Sequence, residues 1–461
     1  MKNVLLVYLP FCTPASPPYS ITNLYSFLKN NSQHNIDVLD LNLEFHKLKF
    51  PKFQDYYRDI NNWADYDKVT EDYRRLTAKI YSENNKKVIS GERPEFFEIF
   101  LDKIKEKNPD IVAFSIVYSS QAFYAYSFIK EFARLSGVKC VLGGPAVNEK
   151  LIEVADVVFD KELDFLEYIS SKKVNHDKLN LDYALDFSRY DLDEYFTPKP
   201  VIPLKTTSTC YYKKCTFCTH FKDVHYMEYS LDMIKNTIID SKQKNFFLID
   251  DMIPVKMLLK IAKTVKPLGI RWACQLKPMK EFNKIVLKKL RESGLIFVMW
   301  GVESGNNRIL NLINKGTNKD DIEYVLENSH SVGIKNIVYV MFGFPTETRQ
   351  ELEETINFLK KNENHINLIS SSIFGLQKNT FIYNYPEKFG IKKIIEKKRT
   401  VLEPSISYET SKGLSQQDAN KMRNSYKKTI EKINKYPKSM NFFREHMFCM
   451  MKNKNLIKLN Y

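Results

Sequence analysis

At 461 residues the chain exceeds the size at which a single hydrophobic core usually stops growing, so two or three domains are expected. A hydrophobic fraction of 43% with 13% aromatics is globular, and no stretch reaches the run of about 20 apolar residues that a membrane span needs. The net charge of +15, from 70 Lys and Arg against 55 Asp and Glu, is spread along the chain; it permits a nucleic acid or an acidic peptide as partner but reads better as compositional bias. Seven cysteines is an odd number, and Cys12, Cys140, Cys274 and Cys449 stand singly, which is no disulfide framework.

The opening MKNVLLVYLPF reads as a first strand (4–10) and not as a cleaved signal, placing the chain in the cytoplasm. After a Pro-rich turn, residues 21–31 have apolar positions at helical spacing, and 36–42 form a second strand. Tyrosine- and lysine-rich amphipathic segments over about 45–100 interrupt the alternation as a helical insertion. It resumes with a strand at 110–118, a helix at 125–135, a strand at 138–145 and a strand at 155–160 followed by a helix. Continuous apolar strands alternating with helices mean a parallel sheet covered on both faces, so the fold class is α/β and residues 1–175 are a Rossmann-like domain. Gly143 and Gly144 end a strand, where a sheet of this kind lets a large cofactor lie against its tips.

Residues 176–200, rich in Asp, Tyr and Pro, have no clear period and are the expected linker. A second alternation runs over 201–378, with strands near 203–209, 246–251, 270–275, 296–304, 336–345 and 366–376. Six strand–helix units predict a partial, open barrel. The remainder, 379–461, is basic and mainly helical.

Cys210, Cys215 and Cys218 follow the first strand of this second alternation, in STCYYKKCTFCTHF. Three thiolates on a loop at a strand's carboxyl end can converge on one inorganic centre, at the end where barrels place their chemistry. With no near fourth cysteine, a [4Fe-4S] cube would keep one iron open. Spacing alone leaves structural zinc, completed by His220 or His225, and a thioredoxin-like pair at CTFC as alternatives.

The loop resembles the cluster loop of the radical S-adenosylmethionine (SAM) superfamily, usually C-x3-C-x-aromatic-C, with Phe217 in the aromatic place. Its longer spacing, C-x4-C-x2-C, is similar to the C-Y-W-x-x-C-x-F-C pattern of a subgroup with an N-terminal cobalamin-binding domain. The resemblance implies a [4Fe-4S] cluster on Cys210, Cys215 and Cys218, with Phe217 beside the bound SAM. Further segments match in the superfamily's order. Asp250 and Asp251 end the second strand, where the family receives the methionine amino group. In WGVESGNNRILNLINKGT (300–317), Glu303, with Ser304 beside it, would accept hydrogen bonds from the ammonium or ribose, and Gly301 would let backbone approach the cofactor. Gly343, Phe344 and Glu347 in MFGFPTET resemble the segment that lies along the adenine.

Residues 1–165 resemble the cobalamin-binding domains of the same superfamily, which would place Ser115, Ser119 and Ser120 near the nucleotide tail and Gly143 and Gly144 at the corrin. The D-x-H-x-x-G signature is missing; Asp223-Val224-His225 lies beyond the cysteines and lacks the glycine. The resemblance therefore implies cobalamin held without a histidine ligand. It implies a methyl transfer to an unactivated carbon of a peptide or small natural-product precursor, with an electron donor such as a flavodoxin or ferredoxin and with no membrane or nucleic-acid partner. The rivals are ring contraction, oxidation or cyclisation on the same cofactors, a radical SAM enzyme whose first domain binds no cobalamin, and a non-enzymatic cobalamin sensor. A tRNA methylthiotransferase would need a second cysteine triplet and a terminal RNA-binding barrel, and the sequence has neither.

Overall fold

The computed structural model describes residues 1–133, 137–219 and 224–452. It divides into two compact units, the first made of residues 1–203, 232–242 and 398–404, the second of 204–231, 243–397 and 405–461.

The first unit holds a five-stranded sheet in the order β2-β1-β3-β4-β5, with β1 at Asn3–Tyr8, β2 at Asn35–Asp40, β3 at Ile111–Ser115, β4 at Lys139–Gly143 and β5 at Val157–Phe159. Every neighbouring pair is parallel. Val4, Leu5, Leu6 and Val7 are all buried, which is why β1 reads as a continuous apolar run and not as an alternating one. The interruption between β2 and β3 is helical, with helices at Leu41–Lys49, Pro51–Arg58, Tyr66–Ile89 and Phe97–Lys105. Its tyrosines form an aromatic core: Tyr57, Tyr66 and Tyr73 are buried, Tyr57 donates to Thr70 Oγ1 at 3.0 Å, and the Tyr73 hydroxyl lies 2.6 Å from His46 Nδ1.

Residues 176–200 are seated on the first helix, Tyr19–Asn31. Asp186 pairs with Lys29 at 2.8 Å, Arg189 Nε donates to Tyr25 Oη at 2.9 Å, and Thr22 Oγ1 donates to Tyr190 Oη at 2.9 Å. Tyr195 reaches Asp40 at 2.8 Å. The tyrosines that break the periodicity thus serve as polar-tipped anchors.

The second unit's sheet runs β11-β10-β9-β8-β7-β6, with β6 at Ile202–Leu204, β7 at Asn245–Leu248, β8 at Arg271–Leu276, β9 at Leu295–Glu303, β10 at Lys335–Phe342 and β11 at Leu368–Ile373. Strands β7 to β11 are parallel neighbours, in strict sequential order. This is the open six-stranded barrel that the alternation predicts. An open barrel leaves β11 with an edge, and the C-terminal segment covers it: Asn434 Oδ1 accepts from Ile369 N–H at 2.8 Å, Lys435 N–H donates to Asn367 O at 2.9 Å, and Asn441 Nδ2 donates to Ile369 O at 3.0 Å. That segment carries helices at Gln416–Ser425 and Lys427–Ile433. It also contains an antiparallel hairpin, β12 at Ile391–Lys397 and β13 at Ser405–Thr410, an addition to the helical expectation. Among the described residues no helix is long and apolar enough to cross a membrane.

Candidate functional site at the carboxyl ends of the second sheet

The chain leaving β6 is fixed by a buried carboxylate. Asp250, just past β7 and fully buried, accepts from Thr206 N–H at 2.9 Å, Thr207 N–H at 2.6 Å and Thr207 Oγ1 at 2.8 Å. Burial lifts its acid up to about 6 against these donors. Asp250 therefore organises the entry to the cysteine loop. Asp251 beside it is half-buried.

The cysteine loop is held by its non-cysteine residues. The helix Asn307–Ile313 ends with Asn314 in the left-handed region, and its last carbonyls need donors. Thr216 supplies two, from N–H to Ile313 O at 2.9 Å and from Oγ1 to Leu312 O at 3.0 Å. Tyr212 Oη donates to Asn314 O at 2.9 Å. Phe217, expected beside the cofactor, packs against a cluster that includes Ile309, Ile313, Phe344 and Phe374. The three cysteines form no disulfide and are half-buried, whereas Cys140, Cys274 and Cys449 are buried.

Glu303 ends β9 at a bulge, where Gly301 pairs with Tyr339 but Glu303 pairs with Val340. Its φ of +65° marks the left-handed region, which a side chain enters at a cost of roughly 1–2 kcal/mol. The bulge aims the carboxylate at Lys315, and the two form an ion pair of 2.8 Å with side chains only 15% and 10% exposed. A Cβ on Gly301 would lie 2.9 Å from both Glu303 Oε1 and Lys315 Nζ, so this glycine makes room for the pair. Ser304 is buried and bonds Thr355 Oγ1 at 3.1 Å. Burial works against the Lys315 cation, but Glu303, with Cys215 behind it, holds its pKa above the usual lysine value.

A second lysine, Lys277 just past β8, is 5% exposed. Its ammonium sits 3.2 Å from the centre of the Tyr212 ring, and its backbone N–H points at Met252 Sδ at 3.2 Å. The other side of Tyr212 is set by Gly316 at φ +66°, where a Cβ would lie 2.3 Å from the phenol oxygen. Burial pulls Lys277 down to about 8, with Cys215 and, more weakly, Cys210 opposing. Burial likewise pushes the Cys215 thiol up, and Lys315 and Lys277 counter it. Neither lysine figured in the expected site. Lys315 stands in the quoted K-G-T; nothing in QLKP distinguishes Lys277 from a solvated strand-end lysine.

At β10, Gly343 (φ +75°) donates its N–H to Glu347 Oε2. Glu347 is buried, its Oε1 has no partner among the described residues, and burial lifts its acid up to about 7. A carboxyl raised in the folded state contributes stability that is complete below about 4.5 and is lost as pH climbs to about 7. Glu347→Gln keeps an acceptor for Gly343 and removes the charge. It is expected to raise unfolding stability by on the order of 2–3 kcal/mol at pH 8 and by little near pH 4.5. Urea unfolding at both pH values checks this; an equal gain at both would discard buried charge as the cause.

Among the described residues no three Cys, His, Asp or Glu side chains cage a single ion. A cubane takes each thiolate on a different iron, so its requirement is three soft donors on one loop with compensating charge. The cysteine loop with Lys277 and Lys315 fits that chemistry. Of the groups considered for zinc, His220 lies outside the described residues, as does Asp223 of the D-x-H, and His225 is exposed.

In the first unit, Ser115 Oγ donates to Ser20 Oγ at 2.9 Å and Ser120 Oγ to Phe11 O at 2.6 Å, while Ser119 is exposed. A Cβ on Gly144 (φ +115°) would fall 2.4 Å from Ile116 O, and one on Gly143 would fall 3.1 Å from Phe159 O. Both glycines are thus required by the neighbouring backbone before any cofactor is considered. The tips of β3 and β4 end in Ser115 and Gly143, with Gly144 following, so small residues and backbone stand at these two strand ends.

Residues 204–359 match the family model of the Radical SAM superfamily. The chain carries a radical SAM domain. Its whole fold is similar to that of OxsB, a cobalamin-dependent SAM radical enzyme solved with aqua-cobalamin and SAM, at a TM-score of 0.61 and 14% identity over 94% of this chain and 67% of that one. It is equally similar to the radical SAM methyltransferase TsrM of Kitasatospora setae, solved with tryptophan and a SAM analogue, at 0.61 and 14% over 89% and 86%. Identity at this level speaks for the fold. In sequence, the chain is 25% identical over 332 residues to an uncharacterised methyltransferase of Pyrococcus horikoshii, covering 62% of this chain and 72% of that protein. It is 28% identical over 176 residues to the bacteriochlorophyllide d C-12(1)-methyltransferase of Chlorobaculum tepidum, covering 35% and 38%. The chain thus has relatives named as methyltransferases.

Proposed function

We propose that this chain is a cobalamin-dependent radical SAM methyltransferase. It would hold a [4Fe-4S] cluster on Cys210, Cys215 and Cys218, SAM beside Glu303, Asp251, Gly343 and Glu347, and cobalamin at the strand tips of the first unit near Ser115, Ser119, Ser120, Gly143 and Gly144. The observation that carries the reading is the cysteine loop itself, pinned by Tyr212, Thr216 and Phe217 with its three cysteines outside any disulfide, next to the Glu303–Lys315 pair. When bound, the cluster supplies the electron that splits SAM to a substrate-activating 5′-deoxyadenosyl radical, and the corrin supplies the methyl group. The chain's own residues bind and orient. Asp250 sets the path of the loop, Glu303 offers a carboxylate to cationic or hydroxyl groups of SAM, and Lys315 holds that carboxylate in place. The substrate class is a peptide or small natural-product precursor, with a flavodoxin or ferredoxin as electron source.

OxsB, whose likeness spans more of this chain than that of TsrM, is named a radical enzyme and not a methyltransferase. That keeps a rearrangement or oxidation on the same cofactors as the second reading. Anaerobically reconstituted protein, produced with excess cobalamin and incubated with SAM and candidate substrates, separates them. Methylated product with S-adenosylhomocysteine and 5′-deoxyadenosine supports methyl transfer; 5′-deoxyadenosine with an unmethylated product supports the second reading. Bound cob(II)alamin is expected to give a paramagnetic spectrum without nitrogen splitting, as no D-x-H-x-x-G histidine is present. Protein that carries no cobalamin leaves a cobalamin-free radical SAM enzyme.

A further inference from the structure

Lys277 is a buried ammonium, and among the ion pairs of the described residues none includes it. A cation taken out of water needs an anion or an equivalent partner. One face of its need is met by the Tyr212 ring, 3.2 Å away. Tyr212 lies between Cys210 and Cys215, and it is locked in place by Gly316 and by its bond to Asn314. The ammonium is therefore clamped onto the cysteine loop itself. The nearby acid Glu281 acts on it more weakly than either Cys215 or Cys210. Lys315 also reaches this loop, but Glu303 at 2.8 Å neutralises it. Of the two buried lysines beside the loop, Lys277 is the one with no carboxylate partner among the ion pairs of the described residues.

We propose that Lys277 is a positioning residue for the cluster, a fixed cation clamped to the cysteine loop that raises the potential at which the cluster accepts an electron. Reduction adds negative charge to the cluster, and a cation clamped to the loop that holds it favours the reduced form. The inference rests on the reading of the cysteine triplet as a cluster site.

The test is a redox titration of anaerobically reconstituted full-length protein, followed by the paramagnetic signal of the reduced cluster, without SAM. Iron and sulfide content are measured on each sample. In Lys277→Met the ratio of reduced to oxidised cluster at a fixed potential is expected to fall about tenfold, a downward shift of about 59 mV for one electron. Lys277→Arg should recover most of it. A fully loaded Lys277→Met with an unshifted potential overturns the proposal, and weaker SAM binding at that unshifted potential would give the lysine to the SAM carboxylate instead. If Lys277→Met takes up no iron, Lys277→Gln and Lys277→Arg decide: loss in Gln with loading in Arg supports a required cation, whereas loss in both, or loading of Gln at the wild-type potential, overturns it. A wild-type chain that binds zinc and no cluster removes the functional reading and this inference together, while a loaded wild type beside an unshifted variant removes the inference alone.

Discussion

Replacing Cys210, Cys215 and Cys218 together by alanine is expected to abolish iron uptake and 5′-deoxyadenosine formation while leaving the fold intact. The loop's shape depends on Thr216 and Tyr212 satisfying the carbonyls of Leu312, Ile313 and Asn314, and on Phe217 packing into the second unit's apolar cluster. The cysteines themselves are half-buried and form no disulfide. Their removal deletes donors and little packing, so the change in unfolding stability should stay within about 1 kcal/mol. The scattered cysteines give the opposite pattern. Cys140, Cys274 and Cys449 lie in the core, and truncating any of them should lower stability with iron content unchanged. Iron and sulfide near four each per wild-type chain are expected; one equivalent of zinc would defeat the cluster assignment, and loss of iron on changing Cys12 or a core cysteine would mean that the ligands are misassigned.

The two sheets were legible because strands buried on both faces are continuous apolar runs, as in Val4–Val7 and Ile296–Trp300. The hairpin at Ile391–Lys397 and Ser405–Thr410 was not legible, since its lysines and glutamates are largely exposed and its apolar residues are too few to set a period. For the site, motif spacing brought out the cysteines and Glu303 but missed what surrounds them. Asp250 looked like a cofactor carboxylate because a sequence cannot say that Thr206 and Thr207 fold back onto it. Gly301 and Gly144 suggested close approach of a ligand, and the close approach is by Lys315, Glu303 and Ile116 of the chain itself. A lysine is ordinarily a surface residue. The burial of Lys277 and Lys315 arises from tertiary contacts with Tyr212 and Glu303 that span long stretches of sequence.

Removing one partner of the Glu303–Lys315 pair should be more damaging than removing both. Glu303→Ala leaves Lys315, whose side chain is 10% exposed, beside Gly301 and Phe217 with its carboxylate partner gone. Breaking a buried pair in this way costs about 3–5 kcal/mol, and partial exposure of Glu303 puts the expected loss near the low end. Lys315→Met strands the carboxylate in turn. The double variant Glu303→Gln with Lys315→Met has no buried charge to strand, and it should recover at least about 1 kcal/mol relative to the sum of the two single changes. Function should separate from stability. Since Glu303 is proposed to receive polar groups of SAM, both the Ala and the Gln substitution are expected to weaken SAM binding by about tenfold or more, the value of a charge-assisted hydrogen bond. The double variant should fold well and still bind SAM poorly, with iron content at the wild-type level because the cluster donors are untouched. Urea unfolding, iron analysis and equilibrium SAM binding on the wild type and these four variants read out these three quantities independently. Wild-type SAM affinity in the double variant would confine the pair to holding the bulge at the end of β9.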